Sequence, residues 1–62
     1  MSATKPALLT PDDVAARWSI PRRHVLELAR RKQVASIKVG RYVRFEQAAV
    51  ERYEAKQRAE AA

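Results

Sequence analysis

The apolar positions of this chain follow two periods in turn. Val14, Ala15 and Trp18, then Val25, Leu28 and Ala29, recur three and four residues apart, which places side chains on one stripe of a helix. Val34-Ala35-Ser36-Ile37-Lys38-Val39 and Tyr42-Val43-Arg44-Phe45 instead alternate around Gly40-Arg41, the period of strands. The helical period returns with Ala49, Val50 and Tyr53 inside EQAAVERYEAKQRAEAA, a run of strong helix formers. The pattern predicts helix, helix, hairpin, helix.

Local chemistry sets the boundaries. Thr10-Pro11-Asp12-Asp13 reads as a helix start: Thr10 caps, Pro11 lacks only an N–H that would be unpaired anyway, and the two aspartates complement the helix dipole. Asp13 stands three residues past Thr10, as in a capping box, and Leu9 can staple onto Val14. Ser19-Ile20-Pro21 ends this helix by Ile20, because the residue before a proline avoids helical angles. A second helix is expected over about Arg22 to Lys32, so the two form a helix-turn-helix. Gly40-Arg41 fits a two-residue type II′ turn, with Gly first. Ile37, Val39, Val43 and Phe45 are expected to face inward, with Lys38, Tyr42 and Arg44 outward and Arg41 at the tip. The apolar stripe stops at Tyr53, which predicts a fraying end. The expected organisation is a disordered lead-in over 1–7, one domain over 8–55 and a frayed helix or tail over 56–62. The fold class is mainly α with a small β-hairpin: a winged helix-turn-helix with a two-stranded wing.

Charge then singles out one segment. From Arg17 to Arg44 nine Lys or Arg stand against one acid, Glu27, giving +8 where the whole chain carries +6. The flanks are therefore net acidic and the positive field is focused beside an ordered helix, the electrostatic footprint of nucleic-acid binding. With 62 residues, no cysteine and one histidine, the chain offers one domain, no disulfide framework and no His-rich metal cluster. No apolar run approaches a membrane span and no leader resembles a signal peptide, so a soluble, cytoplasmic protein is expected, free of cofactors and without membrane contact. No nucleophile or carboxylate pair accompanies His24, so no catalytic site and no enzyme activity are expected.

On the second helix, Arg23, Glu27 and Arg30 lie opposite the inner stripe, flanked by His24, Leu26 and Arg31. Arg22, Arg23, Arg30 and Arg31 are candidate DNA contacts, because the planar guanidinium fork matches guanine O6 and N7. The same residues could instead solvate a surface helix. Glu27 could accept from cytosine N4 or, through Arg23, Arg30 or Arg31, hold an arginine fork in place. Arg41 suits a narrow minor groove, or is a solvated turn residue. Lys38 and Arg44 suit phosphates, and Tyr42 either packs on the wing or gives its hydroxyl to a phosphate. Trp18 and Tyr53 are assigned to the core. A protein-interaction module would require a large apolar patch on the outside, and the pattern reveals none.

Leu8-Leu9-Thr10-Pro11-Asp12-Asp13-Val14-Ala15, Val25 and Leu28, Ile37-Lys38-Val39-Gly40-Arg41 with Arg44-Phe45, and Ala49-Val50 with Tyr53 together resemble the excisionase family of the MerR-like winged-helix superfamily, over about residues 8 to 54. The resemblance implies a recombination directionality factor: a sequence-specific protein that bends attachment-site DNA and directs a phage or element integrase toward excision. It implies that the second helix enters the major groove, with Arg23, Glu27 and Arg30 at the groove-facing positions, and that Arg41 is the wing-tip arginine in the adjacent minor groove. The implied partners are double-stranded DNA, an integrase and further copies arranged head-to-tail along DNA, in a bacterial host nucleoid. A small MerR-like transcription regulator binding operator DNA shares the pattern. Two features depart from the family: Pro21 stands where a Ser or Thr often caps the second helix, and no basic C-terminal tail is evident.

Overall fold

The computed structural model describes residues 8–61; the lead-in expected over 1–7 lies outside them. The order is β1 (Leu8–Leu9), α1 (Pro11–Trp18), α2 (Arg22–Arg30), β2 (Ile37–Val39), β3 (Tyr42–Glu46) and α3 (Gln47–Ala61). Three helices thus accompany a three-stranded antiparallel sheet of order β1-β3-β2, a winged helix-turn-helix. The wing has one strand more than the expected two. Leu8 and Leu9 pair with Glu46 and Phe45, and so tie the entrance of α1 to the exit of the wing.

The capping box at α1 forms as its residues dictate. The Asp13 N–H donates to Thr10 Oγ1 and the Thr10 N–H to Asp13 Oδ2, both at 3.0 Å. The Thr10 backbone N–H, ahead of the Thr10 side chain, holds the Asp13 carboxyl below the ordinary carboxylate range. Both α1 and α2 end in a left-handed residue that is not glycine: Ser19 at φ 57° and Lys32 at φ 62°. In each case two amides close the end: Ile20 N–H to Ala15 O and Ser19 N–H to Ala16 O, then Gln33 N–H to Leu28 O and Lys32 N–H to Ala29 O. This closure ends α2 at Arg30, two residues before the expected boundary.

The core is small and shared by every layer. Val14 (α1), Val25 (α2), Val34 (the loop before β2), Phe45 (β3) and Val50 (α3) form one buried cluster, with Leu9, Trp18, Ile20, Leu28, Val43 and Tyr53 packed around it. The inner stripes read from the sequence hold. The wing faces do not. Ile37 and Val39, expected inside, are 37% and 50% exposed. The register explains why: Val39 pairs with Tyr42, Lys38 with Val43 and Ile37 with Arg44. Directly paired residues of an antiparallel ladder share a face. A two-residue loop therefore cannot put Val39 inside and Tyr42 outside. Ile37, Val39, Tyr42 and Arg44 share the outer face, and Lys38 lies on the side of Val43 and Phe45.

The same pairing puts Leu8, opposite Glu46, on the outer face. Leu8, Ile37, Val39 and Tyr42 are the exposed large hydrophobic residues among the described ones, so one sheet face gathers these four, beside Arg44 and Glu46. The external apolar patch that the sequence pattern does not reveal is thus present. Gly40 takes φ 64° at the first loop position and Arg41 keeps a negative φ, the combination of a type II′ turn.

α3 is held to α1 by a polar clamp. Glu54 accepts from Arg17 Nη2 at 2.9 Å and from Trp18 Nε1 at 2.6 Å, beside Trp18 and Tyr53 rings whose centroids lie 5.1 Å apart. Beyond Tyr53 the apolar stripe ends, and the helix continues to Ala61. Its Ala, Glu, Lys, Gln and Arg residues carry helix propensity enough to extend it.

The clamp makes stability depend on acid. The Arg17 guanidinium, then the Trp18 N–H, draws the Glu54 carboxyl from its ordinary 4.5 to about 2. A depressed folded value contributes stability that is complete above the unfolded value and lost as pH falls through about 2. Denaturant melts between neutral pH and pH 2 will show Glu54→Gln weaker at neutral pH and with a shallower acid slope than the parent. Asp13 and Glu27 leave the remaining slope. Lys32 tests the other helix end. A left-handed conformation costs a non-glycine residue about 1–2 kcal/mol, partly offset by the extra unfolded freedom of glycine, so Lys32→Gly will gain roughly 0.5–1 kcal/mol. The midpoint of a thermal melt will rise by a few degrees.

Candidate nucleic-acid interface

α2 presents its basic side away from the Val25 stripe. Its N-terminus has no side-chain cap and no acid in the first turn, so the positive end of its dipole adds to the charges of Arg22 and Arg23. Pro21 leaves the cap position without a side-chain hydrogen bond. Arg22 reaches back to Asp12, Nε to Oδ1 at 3.1 Å. Arg23 is exposed and makes no ion pair among the described residues.

Glu27 sits between two arginines. It accepts from Arg30 Nη2 at 2.7 Å and from Arg31 Nε at 2.8 Å. The Arg30 bond, then the Arg31 bond, holds the carboxyl below its ordinary range, and the same contact raises Arg30. Of the two roles open to Glu27, the brace geometry is the one present, with Arg30 and Arg31 as partners and not Arg23. A braced guanidinium has fewer rotamers to lose on meeting a planar acceptor.

On the wing, Tyr42 lies between two guanidinium groups, Arg44 at 5.3 Å and Arg41 at 5.9 Å from the ring centroid. Arg44 also donates Nη1 to the Val43 carbonyl at 2.8 Å. The tip arginine is therefore backed by an aromatic ring, a contact that depends on both residues sharing the hairpin end. Lys38 is exposed on the opposite wing face. The structure thus brings Glu27, Arg30 and Arg31 together at the C-terminal end of α2, and Arg41, Tyr42 and Arg44 together on the wing.

The comparison with family models matches residues 8–58 to a model described as a helix-turn-helix domain. The chain belongs to the helix-turn-helix domain family. A search of curated proteins and one of solved structures find no match. Helix-turn-helix domains point to DNA as the partner and are typically non-enzymatic. The matched span takes in both helices of the motif, the wing and most of α3. Among the described residues, no helix is long and apolar enough to cross a membrane, and no three His, Cys, Asp or Glu residues stand together as a metal site.

Two features of this helix-turn-helix domain escape the sequence pattern. One is the outer apolar sheet face, visible only through register. The other is a group of cations formed by Lys32 with Arg52 and Lys56, which line one hollow although they are far apart in sequence.

Glu27→Gln separates the brace from base reading. Against duplexes selected from a random pool, loss of a brace will lower discrimination at several positions while affinity for random DNA rises with the lost negative charge. Loss of a base contact would relax preference at one C·G pair only, a difference that binding titrations on single-substituted duplexes will resolve.

Proposed function

We propose that this protein is a sequence-specific, DNA-bending excisionase that binds attachment-site DNA and directs an integrase toward excision. The observation that carries the reading is the joint rooting of two basic elements in one core: α2 through Val25 and the wing through Phe45. α2 enters the major groove with Arg23 and the braced Arg30 and Arg31 toward base edges. Arg22, Lys38 and Arg44 meet phosphates, and Arg41, backed by Tyr42, enters the adjacent minor groove.

The outer sheet face supports protein partners as well. Leu8, Ile37, Val39 and Tyr42 offer an apolar surface on the wing side, where a neighbouring copy or the integrase would dock. A single module covers only about 600–1,000 Å², so reshaping a site calls for several copies. Contacts between unlike surfaces that do not close produce an open array. The C-terminal helix, with no apolar stripe after Tyr53, gives no seam for a symmetric coiled-coil dimer.

The test is a footprint on the attachment sites of the protein's own element, followed by recombination in vitro with the neighbouring integrase. Excision stimulated by the protein, with cooperative gel shifts to a bent complex, is expected. Operator footprints without stimulation would instead make it a transcription regulator. Binding will fall with salt at a log–log slope of about −5 to −7 if roughly six to eight phosphates are neutralised. Arg23→Ala will cost roughly 1–3 kcal/mol on the true site and less on random duplex. A slope near zero would remove the DNA-binding reading.

A further inference from the structure

α3 carries a charge arrangement that its own stability does not explain. Arg52 and Lys56 stand at i and i+4, a spacing at which like charges repel on a helix surface. Neither meets a carboxylate within salt-bridge distance among the described residues. Both line a shallow hollow of about 260 Å³, and a third cation, Lys32, lines it from the end of α2. Lys32 stands there in a left-handed conformation at φ 62°, where glycine would sit without strain. Arg52, Lys56 and Lys32 are all exposed, and no acid lines the hollow. Three cations from two elements thus converge on one concavity, at a site where both helix pairing and backbone conformation favour other residues.

We propose that Lys32, Arg52 and Lys56 form a second anion site, which holds the phosphodiester backbone of the duplex outside the grooves entered by α2 and the wing. The inference rests on the DNA-binding reading and extends it. Lys32 follows Arg30 and Arg31 directly in the chain, so the patch is continuous with the α2 interface. An acidic protein segment is the lesser fit. The cores of protein interfaces are more apolar than their rims, and the apolar lining of this hollow, Val34, Ala35, Ala49 and Tyr53, includes no exposed large hydrophobic residue. A phosphate chain requires only charge and donors, and lysine suits it as a point charge. Duplex held both at α2 and at this flank would curve around the domain, which gives each copy in an array a share in bending the DNA.

The 62-residue chain and the variants Lys32→Gly, Arg52→Gln and Lys56→Gln are titrated with random-sequence duplex over a range of salt, with thermal melts in parallel. Random duplex is the right probe because phosphate contacts carry no sequence information. Each variant is expected to bind more weakly and to reduce the magnitude of the salt slope by about 1, with the triple variant losing about 3. Lys32→Gly is the decisive member, because it melts higher than the parent while binding less. A merely structural role would move stability and affinity in the same direction. Variants that keep the parent's slope while the parent binds strongly would overturn the second site and leave the α2 interface standing. A parent that does not bind duplex at all would overturn the DNA reading itself. Polyglutamate serves as a control: variants that lose affinity for it while keeping the duplex slope would give the patch to an acidic protein and refute the proposal.

Discussion

Phe45 is the side chain on which the arrangement turns. It is fully buried on the central strand β3, between the short edge strands β1 and β2. Through its backbone it pairs with Leu9 at the entrance of α1, and through its ring it joins the cluster that contains Val14, Val25 and Val50. A hairpin tipped by Gly40 and Arg41 would swing freely in water, since a two-stranded ribbon alone is marginal at best. Rooted by Phe45, the wing keeps a fixed relation to α2, which Val25 anchors in the same cluster. Entry into two neighbouring grooves, as proposed above, needs that fixed relation more than it needs any one contact. Truncating Phe45 would therefore loosen the site as well as the fold.

The acidic side chains divide the basic ones into two kinds. Asp12 takes Arg22, Glu27 takes Arg30 and Arg31, and Glu54 takes Arg17. Only the last pair serves the fold, because it ties α3 to α1 with the help of Trp18. Arg22, Arg30 and Arg31 are held while remaining exposed, so their pairs orient charge instead of hiding it. Exposed pairs of this kind add little stability. Their value lies in the conformational freedom already removed before a ligand arrives.

Much of this was legible because it rests on local chemistry. Thr10-Pro11-Asp12-Asp13 closes a capping box by short-range geometry, Ser19-Ile20-Pro21 stops a helix for steric reasons, and the Val25, Leu28 and Ala29 stripe follows from helical periodicity. The wing faces depart from expectation at a point where the sequence does hold the answer. Apolar alternation alone cannot choose between the two faces of a ribbon, but a two-residue loop makes Val39 and Tyr42 partners and settles the parity. The strand Leu8–Leu9 was not legible, because two residues carry no period and exist as a strand only through Phe45 and Glu46. Val34 escaped for a similar reason: it is a buried loop residue whose place depends on α2 ending early, at Arg30, with the chain turning through the left-handed Lys32. The cation group around Lys32 needed the packing of α3 against the loop after α2 before its members became neighbours.

These features share an energetic logic. A chain of 62 residues buries a limited core, so its free stability is small and every unfavourable term counts. Yet it keeps a left-handed lysine, two like charges one helical turn apart, and a segment of +8 charge whose members repel one another. Each term weighs against the folded state when the protein is alone. A polyanion reverses all the electrostatic ones together, because it neutralises the same charges that repel. Binding to the native state also adds stability by mass action, more as ligand exceeds its dissociation constant. On the DNA-binding reading proposed above, the domain is least stable where it is free and gains stability where a phosphate backbone meets this charge.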